Sequence, residues 1–138
     1  MSCMTGNGTT FSLSTTTFTA DVISIDGNEP TIEALDKSHL GTTGNMSKCP
    51  GDLIDQGSVT IEFFFDPDEI PAIGVVETGT ITFPVPAGKA TGAILAGTGF
   101  ITSFKWGPAE NNTLMRGTLT FEYDGETGPA WTASAGST

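Results

Sequence analysis

The sequence predicts an all-β protein, a sandwich or partial barrel with at most one short helix. Three observations carry this prediction. The chain has 18 Gly and 8 Pro among 138 residues, a density of breakers that long helices do not tolerate. Thr, which is β-branched and at home in strands, is its commonest residue. No segment sustains a 3.6-residue apolar repeat, whereas several alternate apolar and polar residues, the pattern of a strand with one buried face.

The first extended segment runs from Thr10 to Thr19 with Phe11, Leu13 and Phe18, and a second from Thr19 to Ile25 with Val22, Ile23 and Ile25. Asp26-Gly27-Asn28 is a turn signal. Thr31 to Leu35 is a short strand. Gly41 to Gly51 has almost no apolar content and reads as a long loop, a kind of segment that in compact domains is usually functional or mobile. Asp52 to Gly57 reads as one helical turn with Gly57 at its end. The strongest strand is Gly57 to Asp66, with Val59, Ile61, Phe63 and Phe65 on one face and Ser58, Thr60, Glu62 and Phe64 on the other; Pro67 ends it. Thr78 to Val85 alternates with Ile81, Phe83 and Val85 inward, and Pro86-Ala87-Gly88-Lys89 turns the chain. Gly92 to Gly99 is Gly-rich and leads into a strand, so its glycines mark a bent strand or a close backbone approach between subunits. Gly99 to Trp106 sets Phe100, Phe104 and Trp106 against Ile101, Ser103 and Lys105. Thr118 to Asp124 sets Leu119, Phe121 and Tyr123 against Thr118, Thr120, Glu122 and Asp124. The expected core is Val59, Ile61, Phe63, Phe83, Phe100, Phe104 and Phe121. The chain reads as one domain over residues 1–138, with an N-terminal arm over about 1–10, the loop over about 41–51 and a tail over about 128–138.

Charge narrows the function. Five Lys and Arg against 16 Asp and Glu give a net charge of −11. The cations Lys37, Lys48, Lys89, Lys105 and Arg116 are scattered, so no basic stripe exists to neutralise phosphates, and anionic membranes are disfavoured for the same reason. No apolar run reaches the roughly 18 residues of a membrane span. Met1 to Gly6 lacks the basic start and apolar stretch of a signal peptide, which points to a cytoplasmic product with Cys3 and Cys49 as free thiols. The same context makes the Asn-x-Ser/Thr sequons at Asn7, Asn45 and Asn111 chance matches in a Thr-rich chain.

Chemistry needs a constellation, and none is legible. His39 is the single histidine and has no paired cysteine, so no transition-metal site forms. Asp66-Pro67-Asp68-Glu69 lacks the ligand spacing of a calcium loop. Gly88-Lys89-Ala90 has Ala where a phosphate loop needs Ser or Thr, and no helix follows it. Glu62 and Glu122 project from polar strand faces with nothing to suggest a cleft around them. The reading is of a protein that is not an enzyme and carries no cofactor.

One order of segments is more specific. A short strand ending Asp36-Lys37-Ser38-His39 is followed by a Gly-rich loop, then by Leu53-Ile54-Asp55-Gln56-Gly57-Ser58-Val59-Thr60-Ile61-Glu62, then by Phe65-Asp66-Pro67. Later come Gly97-Thr98-Gly99-Phe100-Ile101-Thr102-Ser103-Phe104 and Leu114-Met115-Arg116-Gly117-Thr118-Leu119-Thr120-Phe121. This order, over roughly Asp21 to Gly125, resembles the tail tube (major tail) proteins of long-tailed bacteriophages. Family members usually place a helix between the Asp-Pro stop and the next strand; here Asp68 to Glu77 holds Pro71 and Gly74 and shows little helical pattern.

The resemblance implies a virion protein of the tail, assembled in the host cytoplasm as six-membered rings stacked into a tube. Each subunit would lend strands to a barrel closed across the ring, which removes exposed sheet edges. Tail terminator, tape measure and tail-tip proteins would be its partners, and DNA would pass through the lumen without specific binding. Glu62 and Glu122, with Glu33 as a third candidate, would line that lumen, and Thr42, Thr43, Asn45, Met46 and Lys48 would make stacking contacts between rings. Six copies of −11 carry −66 per ring, and screening over about 8 Å confines the repulsion of DNA to the region near the wall. Two other readings are a different virion β-sandwich (a capsid decoration or head–tail completion protein) and a small carbohydrate-binding or adhesin module. The last would present Trp106 or Trp131 as a sugar platform, although Trp106 is in phase with Phe100 and Phe104 and so expected in the core.

Overall fold

The computed structural model describes residues 5–14, 21–41, 43–68 and 70–136. Cys3, Phe18, Thr42 and Glu69 lie outside them. Nine strands form: β1 Thr10–Leu13, β2 Val22–Asp26, β3 Thr31–Asp36, β4 Lys48–Asp55, β5 Ser58–Phe64, β6 Glu77–Thr82, β7 Ile94–Trp106, β8 Arg116–Tyr123 and β9 Ala130–Thr132. The fold is all-β and antiparallel, with no helix among the described residues. The segment before β6, where the tail-tube resemblance calls for a helix, holds turns.

Seven strands make the main sheet, in the order β1-β6-β7-β8-β5-β2 with β9 beside β7. β7 is its spine. Along one edge its first half pairs with β6; along the other, β9 takes Ile94 to Ala96 and β8 takes Gly99 to Trp106. The sheet curls so that Phe11 of β1 meets Phe121 of β8, ring centroids 5.8 Å apart, although two strands lie between them. Inside the curl, Val59, Ile61, Phe63, Leu119 and Phe121 are fully buried, with Ile81, Leu95, Ile101 and Tyr123 around them. Phe83 and Phe104 pack partly buried against this cluster.

Phe121 sits where it does because two neighbours are glycines. A Cβ at Gly79 would lie 2.8 Å from the Phe121 ring, and one at Gly99 would lie 2.9 Å from it. The ring therefore rests on bare backbone of β6 and β7, an arrangement in which an aromatic side chain covers strand glycines.

Phe100 is not in the core, contrary to the expectation from its phase with Phe104. β7 buries Leu95, Gly97, Gly99 and Ile101, which puts Phe100 on the opposite face. The register then slips between Ile101 and Ser103, a bulge that inserts Thr102 and turns Phe104 inward to stack 6.0 Å from Phe63. A bulge inverts alternation, so an unbroken period through it assigns one side of the strand wrongly. Trp106 is 53% exposed rather than buried. It ends β7 opposite Gly117, which has no side chain to cover it, and one face lies against Phe65. Val85 is exposed as well, because β6 ends at Thr82.

The loop expected over 41–51 and the helical turn expected over 52–57 are largely replaced by β4, which pairs with β3 from Asp36–Lys48 to Thr31–Asp55. The connection shrinks to 37–47, and Gly57 (φ 79°) makes the turn into β5. The expected tail contributes β9, whose Trp131 stacks on Phe83 at 5.6 Å. The close approaches at Gly97 (to Pro129) and Gly99 (to Glu122) are made within the chain.

Tyr123 offers a test of this core. Its hydroxyl is buried and has no hydrogen-bond partner among the described residues, and burial raises its pKa above the ordinary value near 10. An unpaired buried hydroxyl costs about 1–3 kcal/mol, so Tyr123→Phe should leave stability at pH 7 unchanged or higher. A raised folded-state pKa adds stability that is complete below pH 10 and fades as pH climbs toward the native value. Denaturation midpoints should therefore fall above pH 10 in the parent and fall less in Tyr123→Phe; equal slopes would place the hydroxyl in contact with solvent.

Candidate functional site

Two surfaces stand out, the polar face of the main sheet and the β3–β4 ribbon with the groove at its root. On the sheet, every strand that buries apolar residues inward presents the alternate ones outward. β5 presents Ser58, Thr60 and Glu62, and β8 presents Thr118, Thr120 and Glu122. Register sets Glu62 opposite Thr118 and Glu122 opposite Ser58, so the two carboxylates share one face of adjacent strands, about 13 Å apart along them. Ser24 of β2 lies opposite Glu62, and Lys105 of β7 opposite Thr118. Glu62 accepts a 3.2 Å ion pair from Arg116, whose guanidinium also lies over Phe64. Both ends of the pair are part-exposed, and such pairs contribute about 0–1 kcal/mol. Glu33 is elsewhere, exposed on β3.

The ribbon grows out of the β2–β5 connection. Its root is held by the Asn28 side chain, which donates to the Gln56 carbonyl at 2.8 Å, and by Gly57 packed against the Glu29 backbone. Beyond the root, all of β3 and most of β4 are exposed. Ile32 faces Ile54 across the ladder and Leu35 faces Cys49, yet Leu53 is 86% and Ile54 58% exposed. Its tip is ordered by local hydrogen bonds. Lys37 N–H donates to the Ser47 carbonyl, Ser47 N–H to Ser38 Oγ, and Gly41 N–H to His39 Nδ1. Ser38 also donates to the Asp36 carboxyl, holding its pKa below the ordinary carboxylate value. Of the expected stacking residues, Thr43, Asn45 and Met46 belong to this tip and Lys48 opens β4.

The groove was not legible in the sequence. It is the open mouth of the curled sheet, a cavity of about 550 Å³ between β2, the turn at 6–9 and the β6–β7–β9 end. Val22, Ile23, Ile81, Phe83, Leu95 and Trp131 supply its apolar wall. The one signal that pointed toward it was Trp131, an isolated large aromatic in an otherwise small and polar tail. Among the described residues no group of three or more His, Cys, Asp and Glu is placed to hold a metal ion.

No family model matches the chain, and no curated protein matches it. A solved structure does. The fold is similar to a chain in the cryo-EM structure of the anti-feeding prophage (AFP) baseplate, 6-fold symmetrised, with a TM-score of 0.61. The match covers 91% of this chain and 91% of that one at 14% sequence identity. At that identity the likeness is one of fold, and it spans nearly the whole chain.

Proposed function

We propose that this protein is a structural subunit of a phage-tail-like particle, and within it a tail tube protein that repeats in six-membered rings stacked around an acidic bore. The observation that carries the reading is the fold shared, over 91% of both chains, with a component of a six-fold symmetric tail-like baseplate. The rest of the surface fits repetition. A ribbon that leaves Leu53 and Ile54 bare is stable in water only at a cost that contact with another copy removes. Among the described residues β1 and β2 end the main sheet as open edges, which pairing across subunits would close. Glu62 and Glu122 share a Thr- and Ser-rich face of β5 and β8, flanked by Phe64 and Phe100, and that polar stretch would suit a wall for sliding DNA. On this reading the subunit binds no cofactor and catalyses no reaction, belongs to the tail, and meets tail terminator, tape measure and tail-tip proteins at the ends of the tube.

The test is microscopy of the purified protein across concentration and salt. Copies of −11 repel one another, and the screening length falls from about 8 Å at 0.15 M to about 3 Å at 1 M. Six-fold rings or tubes should form, at lower protein concentration as salt rises. Solitary globules under every condition would end the proposal, and three-fold particles would favour a capsid decoration protein.

A further inference from the structure

Three glycines directly follow an asparagine or an aspartate: Asn7-Gly8, Asp26-Gly27 and Asp124-Gly125. In such a pair the glycine's main-chain nitrogen can reach the preceding side chain's carbonyl carbon and close a five-membered ring, because glycine has no Cβ to obstruct the approach. The three pairs differ in what holds them. Asp124 Oδ1 accepts from the Thr98 hydroxyl at 2.7 Å and from Glu126 N–H at 2.9 Å, which fixes its carboxyl. Asp26 belongs to β2, where the ladder sets its backbone opposite Thr60. Both are carboxylates, whose negative charge turns a nucleophile away, whereas the asparagine side chain is a neutral amide. Nothing of this kind restrains Asn7. Gly6 to Thr9 is a turn closed by one main-chain bond, from Thr9 N–H to the Gly6 carbonyl at 3.1 Å. Gly8 has φ 93° at the position where a type II turn calls for glycine, and its own N–H stands outside the closing bond. Asn7 and Gly8 are both exposed, and among the described residues the Asn7 side-chain amide takes part in no hydrogen bond.

We propose that Asn7 is a site of spontaneous deamidation, the first residue of this chain to change chemically as the protein ages. The Gly8 nitrogen attacks Asn7 Cγ. A bond forms between them, the bond from Cγ to the side-chain nitrogen breaks, and that nitrogen leaves as ammonia with the Gly8 proton. Water then opens the resulting succinimide at either carbonyl. Opening at Cγ gives aspartate, and opening at the main-chain carbonyl of residue 7 gives isoaspartate. Nothing is oxidised or reduced, and water is the one co-reactant. Either product adds a carboxylate to a chain of net −11. Isoaspartate also routes the main chain through Cβ, which inserts a methylene into a turn that ends directly before Thr10 of β1. Among the described residues β1 is paired by β6 alone, so its first pair, Thr10 with Thr82, loosens with the turn. The other asparagines are slower, because Asn28, Asn45, Asn111 and Asn112 each precede a residue with a side chain: Glu29, Met46, Asn112 and Thr113.

The test is ageing of the full chain in warm, mildly alkaline buffer, followed by intact mass, anion exchange and peptide mapping. The parent should gain the mass of an amide-to-acid exchange, bind an anion exchanger more tightly, and show aspartate and isoaspartate at position 7. The rate should climb with pH, since attack needs the Gly8 nitrogen deprotonated. An isoaspartyl methyltransferase should label the N-terminal peptide of the aged parent. Asn7→Gln, whose side chain would have to close a six-membered ring, should stay unmodified there over the same period. Its fold is retained because only an exposed side chain changes, which circular dichroism checks. Gly8→Ala should slow the reaction strongly; a Cβ there meets Pro84 at an ordinary 3.5 Å, so the side chain has room although the φ is strained. An aged parent unmodified at residue 7 overturns the proposal, as does one modified first at another asparagine, at Asp26 or at Asp124. A Gly8→Ala variant that reacts as fast as the parent overturns it too, because the ring would then not close through the nitrogen of residue 8.

Discussion

Replacing Phe121 with Ala should lower stability by about 4–5 kcal/mol, the upper part of the range for aromatic truncation in a core. The ring is fully buried and touches Phe11 edge-on at 5.8 Å and Tyr123 at 5.4 Å. Truncation costs least where neighbours collapse into the void. Here the ring rests on Gly79 and Gly99, which have no side chains to move, so most of the cavity stays open. Denaturant titration should show a lower midpoint at unchanged slope, and the melting midpoint should fall by about 10–20 °C for a domain of this size. A loss under about 2 kcal/mol would mean that β1 moves in to fill the space.

The same geometry makes a sharper prediction for Gly79→Ala. A Cβ there lies 2.8 Å from two Phe121 ring atoms, which are held on all sides, so the substitution should cost about 1–3 kcal/mol despite the better strand propensity of Ala. In a Phe121→Ala background the obstruction is gone and the new methyl partly fills the cavity. Gly79→Ala should there be neutral or stabilising, a coupling of about 1–3 kcal/mol in a double-mutant cycle. Gly99→Ala is the control. Its Cβ would also overlap the Glu122 carbonyl oxygen, which Phe121→Ala does not remove, so it should remain destabilising in both backgrounds. Additivity at Gly79 would show that the ring is not what excludes a side chain there.

Much of the sheet was readable before any coordinates, and the reason is burial. β5 and β8 have one face in the core, so selection for apolar residues there writes a two-residue period into the chain, and Val59, Ile61, Phe63, Leu119 and Phe121 stand out. β3 and β4 bury neither face, so no period marks β4, and a polar stretch with Gly44, Pro50 and Gly51 looks like a loop. Its pairing is made by backbone hydrogen bonds, to which side-chain pattern is nearly blind. Phe100 was misassigned for a different reason: a bulge at Thr102 is a property of two strands in register, and one strand's residues do not announce it.

The carboxylates show the same division. That Glu62 and Glu122 lie on non-core faces follows from alternation alone. That they share one face of paired strands, and that Glu33 stands apart on the ribbon, depends on which strands become neighbours. The groove is the extreme case, since its apolar wall comes from β2, β6, β7, β9 and the segment after β6.

Strand content, the absence of long helices and a surface that repels polyanions are local or additive quantities, so they follow from residue order and charge without knowledge of neighbours. The curl that leaves a mouth between β2 and the β6–β7–β9 end, and the ribbon left bare beside it, arise only when distant segments meet. Both are products of pairing and register, and long-range pairing is the one term that no window along the chain contains.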